Sequence, residues 1–258
     1  MLYGSTLTLS VFAFALGAIV GSFLNVVIYR LPREESIVRP RSSCPHCGVL
    51  IRWWANIPIL SWIGLRGRCY DCRAPISLRY PAVELLCAAI FTALFLVYGP
   101  GLRLVATWAV AAALIAAAFI DAEHKIIPNA LTLPGIPLGL AVAWLAPPPG
   151  ILDALAGLLV AGGMLWALSA VYEWRAGRVG LGFGDVKLVA MLGAFLGLQP
   201  VLSLLVLGSL LGLVQGLVGM LASGTGRRTP IPFGPALAGA GLVHLFTPYL
   251  LYGILRVS

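Results

Sequence analysis

Charged residues are scarce in this sequence. Only 10% of the 258 residues are charged, while 60% are hydrophobic, and a soluble domain usually has about 25% charged residues. A water-soluble fold has no interior large enough to bury such a surplus of apolar side chains. The composition therefore excludes an ordinary soluble domain and indicates a protein embedded in a membrane.

Common catalytic motifs are also missing. The sequence has no GxSxG, no HExxH, no phosphate-binding loop lysine and no GxGxxG. It contains only three histidines and nine acidic residues in total, so few side chains are available for acid–base chemistry. Nothing in the pattern of its basic residues favours nucleic acid as a partner.

Long apolar stretches predict an all-α, polytopic membrane protein with about eight transmembrane helices, because a spanning helix needs about 20 mostly apolar residues. The fourth and sixth stretches are short and are expected to be tilted or to lie low in the membrane. We divide the chain into a first transmembrane helix (1–29), a basic loop (30–81) and a seven-helix membrane domain (82–258). The predicted spans are 6–29, 82–97, 102–120, 130–145, 151–172, 186–198, 201–221 and 236–255.

The basic residues separate sharply in this eight-span arrangement. Fifteen of the 17 fall on one side, and only Arg103 and Arg256 fall on the other. Positive residues remain in the cytoplasm, so the loop at 30–81 is predicted to be cytoplasmic and both termini to face outward. The basic loop is also suited to contact with anionic membrane lipids, which is a simpler interpretation than recognition of a charged partner.

The loop contains two CxxC pairs that resemble a structural zinc site, although the 21 residues between them are slightly more than the usual gap. Each short turn can present two sulfurs to one tetrahedral ion, and four thiolates leave no open position for a substrate. The alternative is two redox or disulfide pairs, which a reducing cytoplasm disfavours. The predicted zinc ligands are Cys44, Cys47, Cys69 and Cys72.

Two aspartates lie at the predicted cytoplasmic ends of spans. Asp121 ends the third span, and Asp185 opens the sixth, after Gly182 and Gly184. Ionisable groups at membrane depth are usually functional, and two close carboxyls that share one proton provide both a base and an acid. The alternative is a pair of ordinary helix-capping residues, but the two glycines would let a substrate strand approach closely.

The helix ends suggest separate roles for the two carboxyls. Asp185 begins a helix, where the dipole favours a negative charge, and Asp121 ends one, where the dipole disfavours it. On this local argument, Asp185 is the ionised base that activates water, and Asp121 holds the shared proton.

Taken together, five stretches resemble the type IV prepilin peptidases, which are membrane aspartic proteases of the GxGD type. Pro232–Leu237, written PFGPAL, also resembles the Pro-Ala-Leu element of other GxGD proteases. The five stretches are GSFLNVVIYRLP at 21–32, the paired CxxC loop, YPAVELL at 80–86, the segment from Asp121 to Asn129, and GFGDVK at 182–187.

This resemblance implies that Asp121 and Asp185 form the catalytic pair of an aspartic endopeptidase. It implies cleavage of the short basic leader of type IV prepilins or pseudopilins, after a glycine, at the cytoplasmic face of the bacterial inner membrane. Members with the long cysteine-bearing loop often also methylate the new N-terminus with S-adenosyl-L-methionine, so the resemblance implies that cofactor and activity as well.

Two other functions are compatible with this sequence. In a proton-coupled transporter, Asp121 and Asp185 would be relay groups, but transporter carboxylates usually lie near the midplane between repeats, and no repeat is evident here. A non-enzymatic assembly factor of a secretion or pilus system would need the zinc loop and not the aspartates.

Overall fold

The computed structural model describes residues 2–177, 180–223 and 232–247. Within these ranges, side chains are described at all positions except 2–5 and 222–223. Over these residues the chain is helical and has isolated β-bridges but no strand. It divides into two compact units, Met1–Pro100 and Gly101–Ser258. The all-α membrane fold predicted from the sequence is confirmed.

The first unit is built on two antiparallel helices, α1 (Leu2–Arg30) and α3 (Arg79–Tyr98). They pack closely because small residues of α1 face α3: a Cβ on Gly21 would lie 2.6 Å from the Cα of Glu84. Nearer the loop, the side-chain amide of Asn25 donates a hydrogen bond to the carbonyl oxygen of Tyr80 at 3.1 Å.

The loop between α1 and α3 has two cysteine turns separated by a short helix, α2 (Leu60–Gly64). One antiparallel bridge, between Ser43 and Leu50, closes the first turn, and another, between Arg68 and Pro75, closes the second. The indole Nε1 of Trp62 donates to the carbonyl oxygen of Ile76 at 3.2 Å. This bond fixes α2 against the second cysteine turn.

The second unit surrounds one almost completely buried helix, α8 (Phe183–Leu196). The other helices of this unit are α4 (Leu102–His124), α5 (Asn129–Thr132), α6 (Gly135–Leu145), α7 (Ile151–Ala176), α9 (Val201–Ser223) and α10 (Gly234–Phe246). Of these, α5, α6, α7 and α10 pack against α8. Helix α7 approaches so closely that a Cβ on Gly157 would lie 2.3 Å from the carbonyl oxygen of Gly193. Helix α10 also packs against α4 and α9.

Each predicted span corresponds to helix in the described residues. Five helices are long and apolar enough to cross a membrane by length and composition: α1, α3, α4, α7 and α9. The predicted fourth span is interrupted between α5 and α6, and α8 has 14 residues, or about 21 Å at 1.5 Å per residue. The eighth span is described only to Thr247, so its predicted end lies outside the described residues.

The domain division at 1–29, 30–81 and 82–258 stays a prediction. The described contacts place α1, the cysteine loop and α3 in one compact unit, because α1 and α3 pack side by side along their length.

Candidate active site

Asp121 lies in the last turn of α4 and is only 5% exposed. Its Oδ2 accepts a hydrogen bond of 2.7 Å from the backbone N–H of Gly234, which lies 113 positions later in the chain and is the first residue of α10. Backbone N–H groups in the first turn of a helix have no partner within that helix. Asp121 therefore supplies an acceptor to α10, and α10 fixes one oxygen of the carboxyl.

The position of Gly234 leaves no room for a side chain. A Cβ there would lie 2.7 Å from both the Cβ and Oδ2 of Asp121, and 2.8 Å from its Cγ. Such distances are shorter than any normal contact, so glycine is required for the amide to approach the carboxyl. The PFGPAL stretch carried the only sequence signal for this residue, and its role as a partner of Asp121 was not predicted.

Asp185 lies in the first turn of α8 and is 8% exposed. The turn is held against the segment that follows α4, since a Cβ on Gly184 would lie 3.0 Å from the Cβ of Ile127. Asp185 is close enough to Asp121 for their charges to interact. The structure thus brings together the two aspartates that the sequence singled out.

Helix α10 packs against both of the aspartate-bearing helices, α4 and α8, and so do α5 and α6. These three helices together position the ends of α4 and α8 that carry Asp121 and Asp185.

A polar contact also lies beside the pair and was not predicted. The Nζ of Lys187 donates to Oδ1 of Asn129 and lies 5.0 Å from the centre of the Phe183 ring. Asn129 begins α5 and Lys187 is one helical turn or less from Asp185. This contact joins the two motif segments, 121–129 and 182–187, outside the carboxyl pair.

The four predicted zinc ligands come together in the loop. The sulfurs of Cys44, Cys47, Cys69 and Cys72 all lie within 4.8 Å of one another, and those of Cys44 and Cys72 are 3.8 Å apart. Tetrahedral ligands at a Zn–S distance of about 2.3 Å have sulfurs separated by about 3.8 Å. The cluster is therefore positioned to bind one metal ion.

The thiols of the cluster differ. A backbone hydrogen bond lowers the pKa of Cys72, but desolvation and the neighbouring thiols raise it to about 12, whereas Cys44 favours the thiolate. Burial raises the pKa of the Cys44 thiol, but hydrogen bonds from the backbone of Cys47 and His46 and from neighbouring thiols lower it to about 6. Since the thiolate is the form that binds metals, Cys44 is prepared to act as a ligand.

Comparison with protein families gives two matches. Residues 15–98 match the Bacterial Peptidase A24 N-terminal domain, and residues 108–217 match the Type IV leader peptidase family. Together the two matches cover most of the chain and both of its compact units.

Curated relatives support the same assignment. A protein from Myxococcus xanthus is 46% identical over 222 residues, covering 85% of this chain and 66% of the relative. One from Burkholderia pseudomallei strain 1026b is 37% identical over 274 residues, covering 94% and 87%, and one from Aeromonas hydrophila is 40% identical over 263 residues, covering 91% and 89%. Each is named prepilin leader peptidase/N-methyltransferase. No solved structure matches the chain.

The two family matches and these relatives favour a protease over a transporter or an assembly factor. They also agree with the multi-pass membrane fold and the cysteine cluster described above. The chain is therefore an enzyme that belongs to the type IV leader peptidase family.

Proposed function

We propose that Asp121 and Asp185 catalyse the cleavage of the basic leader from type IV prepilins or pseudopilins at the cytoplasmic face of the membrane. The observation that carries this proposal is the buried carboxyl pair, in which α10 holds one oxygen of Asp121 through Gly234. Two buried carboxyls whose charges interact do not both ionise readily, so they share a proton. This is the state that aspartic protease chemistry requires.

The hydrogen bond from Gly234 supports an assignment of roles opposite to the one argued from helix ends alone. The helix on which each aspartate lies is only part of its electrostatic surroundings. The carboxyl of Asp121 also meets the N-terminus of α10, where an N–H donor and the helix dipole stabilise a negative charge, the dipole by about 0.3–1 kcal/mol. The end of α4 and the start of α10 have opposite effects on Asp121, and Asp185 keeps the favourable start of α8. A hydrogen bond to a charged group contributes about 1.5–3 kcal/mol, which exceeds the effect of one helix end. Because of the bond from Gly234, we assign the negative charge to Asp121 and the shared proton to Asp185.

In this mechanism, Asp121 accepts a proton from a water molecule as that water attacks the carbonyl carbon of the scissile peptide bond. Asp185 donates its proton to the carbonyl oxygen, which gives a neutral tetrahedral diol. Asp121 then returns its proton to the leaving nitrogen, and Asp185 recovers one from a diol hydroxyl as the C–N bond breaks. Each carboxyl ends in its starting protonation state.

Methylation of the new N-terminus is the second activity proposed for this chain. Its support is the name of the relatives, which includes N-methyltransferase, and S-adenosyl-L-methionine would be the methyl donor. The residues that bind this donor stay unassigned.

The chain is a multi-pass protein of the bacterial inner membrane, and we propose that both of its termini face the periplasm. The support is the 15-to-two division of basic residues in the sequence. Of the residues counted there, Arg178, Arg227, Arg228 and Arg256 lie outside the described residues. This orientation places Asp121, Asp185 and the cysteine loop on the cytoplasmic side.

A cleavage assay tests the proposed function. Purified protein in detergent should cut a prepilin-like peptide into leader and mature fragments, and S-adenosyl-L-methionine should add one methyl group to the mature fragment. Mass spectrometry of the products reports both steps. An intact peptide, together with proton transport by the same protein in liposomes, would support the transporter instead.

We propose that zinc is the metal held by the cysteine cluster and that its role is structural. Purified protein should contain about one zinc per chain, since four thiolates saturate one tetrahedral ion. Replacing Cys44 and Cys47 with serine should remove the zinc, disorder the loop and reduce methylation more than proteolysis, because the aspartates lie outside the loop. Metal analysis that finds no zinc in protein never exposed to a chelator would refute the proposal.

A further inference from the structure

A single hydrogen bond fixes the depth of the cysteine loop. Glu84 is 7% exposed, and its Oε2 accepts the backbone N–H of Ile59 at 2.7 Å. Glu84 lies five residues after Arg79, where the membrane-spanning helix α3 begins, which is about 7.5 Å along the helix at 1.5 Å per residue. Ile59 in the loop is therefore level with the second turn of a spanning helix.

The backbone at Ile59 is held in an unusual conformation. Its φ is +64° and its ψ is −54°, which is rare for any residue with a side chain and especially so for a β-branched one. A backbone N–H at membrane depth needs a partner within the protein, and the carboxyl of Glu84 is that partner. The bond between them thus holds the start of α2 in place.

The face of α2 that follows is apolar and uncovered. Leu60 is 68% exposed and Ile63 is 60% exposed, and Trp53, in the 3-10 turn that packs against α2, is 77% exposed. Trp62 of the same helix lies on the other side, bonded to Ile76. Exposed apolar side chains at this depth would contact lipid rather than water.

Two basic residues follow α2 in the chain. Arg66 and Arg68 lie two and four residues after the last residue of the helix, Gly64, and both are exposed. Apolar and aromatic side chains that enter the lipid, next to arginines that reach the headgroups, are typical of interfacial membrane elements. Anionic phospholipid headgroups complement the charge of the arginines.

From these contacts we propose that residues 53–68 form an interfacial membrane element, in which Trp53, Leu60 and Ile63 enter the cytoplasmic leaflet and Arg66 and Arg68 bind anionic headgroups. Glu84 is its positioning residue, because it sets the depth of Ile59. Cys69, a member of the cysteine cluster, follows this element directly in the chain. The cluster would then be held directly against the membrane surface. This inference rests on α3 as a membrane span and is independent of the proposed catalytic roles.

Photocrosslinking in the full-length protein tests the proposal. A benzophenone amino acid replaces Leu60 in one variant and Val49 in another, since Val49 is also apolar and 45% exposed but lies in the first cysteine turn. Both variants are reconstituted in liposomes that contain phosphatidylglycerol, irradiated and analysed by mass spectrometry. We expect several-fold more lipid adduct at position 60 than at position 49.

Equal lipid adducts at the two positions would overturn the proposal, and so would adducts at position 60 to a second copy of the chain or to a peptide substrate in place of lipid. Changes at Glu84 test the anchor in the Leu60-labelled protein. Glu84→Ala should lower the lipid adduct, while Glu84→Gln, which keeps an oxygen acceptor for Ile59, should preserve it. An adduct that Glu84→Ala leaves unchanged would contradict the positioning role.

Discussion

Replacing either Asp121 or Asp185 with asparagine should lower the rate of cleavage of a prepilin-like peptide by about 10²–10⁴-fold. Neither single variant retains both the base that activates water and the acid that protonates the carbonyl oxygen, and loss of such a group typically lowers the rate about 10²–10⁴-fold. Asparagine has nearly the same shape as aspartate and keeps an oxygen that can accept the N–H of Gly234. The variants should therefore fold, and peptide cleavage by purified protein measures the loss.

Asp153→Asn is the matched control for these changes. Asp153 lies in the first turn of α7, and its Oδ1 accepts the backbone N–H of Leu198 at 3.2 Å. Asparagine keeps that acceptor, so we expect cleavage at close to the wild-type rate. Wild-type cleavage by Asp121→Asn or Asp185→Asn would show that the residue is not catalytic, and would reopen the helix-capping interpretation of the pair.

Gly234→Ala should also lower the cleavage rate severely, although residue 234 has no side-chain chemistry of its own. The new Cβ would lie within 2.8 Å of three atoms of Asp121, so either the carboxyl or the start of α10 must move. A displacement of about 1 Å in a catalytic group can cost about 100-fold in rate. The measurement is the cleavage rate at saturating peptide, which reports the chemical step and not substrate binding.

Gly239→Ala, in the same helix, separates this effect from a general effect on α10. A Cβ at Gly239 would meet only the Cδ1 of Leu211 at 3.5 Å, an ordinary contact, and alanine favours a helix over glycine by about 1 kcal/mol. Cleavage should be unchanged in this variant. If Gly234→Ala were as active as Gly239→Ala, the amide of Gly234 would have no part in positioning Asp121.

Infrared spectroscopy tests which of the two carboxyls holds the shared proton. Near neutral pH, the substrate-free enzyme should show a protonated-carboxyl band that is lost in Asp185→Asn. A band that persists in Asp185→Asn and is lost in Asp121→Asn would restore the roles argued from helix ends.

Much of the fold was predictable because it depends on local composition. Apolar runs identify helices wherever a membrane removes water from the backbone, so each predicted span corresponds to helix over the residues that the structure describes. The interruption of the fourth coincides with Pro134, which cannot donate a backbone hydrogen bond. The cysteine cluster was predictable for a similar reason, since each CxxC turn is a local structure and one ion requires two of them.

The arrangement of the carboxyls was less predictable because it depends on contacts between distant segments. The sequence identified Asp121 and Asp185, but the hydrogen bond to Gly234 spans 113 positions and no local pattern specifies it. The depth of α2 is similar, because Ile59, which donates to Glu84, is an apolar residue that contributes only its backbone. Every residue except proline has a backbone N–H group, so the sequence does not show which one donates to a given carboxyl.

The most direct test of the central claim is the cleavage rate of the double variant Asp121→Asn/Asp185→Asn, measured beside both single variants under single-turnover conditions. Residues that act as one catalytic unit show strongly non-additive losses. If the two carboxyls share one proton and perform one reaction, the double variant should be no slower than the slower single variant. A double variant whose loss equals the product of the two single losses would show that the aspartates act independently, and would contradict the catalytic pair.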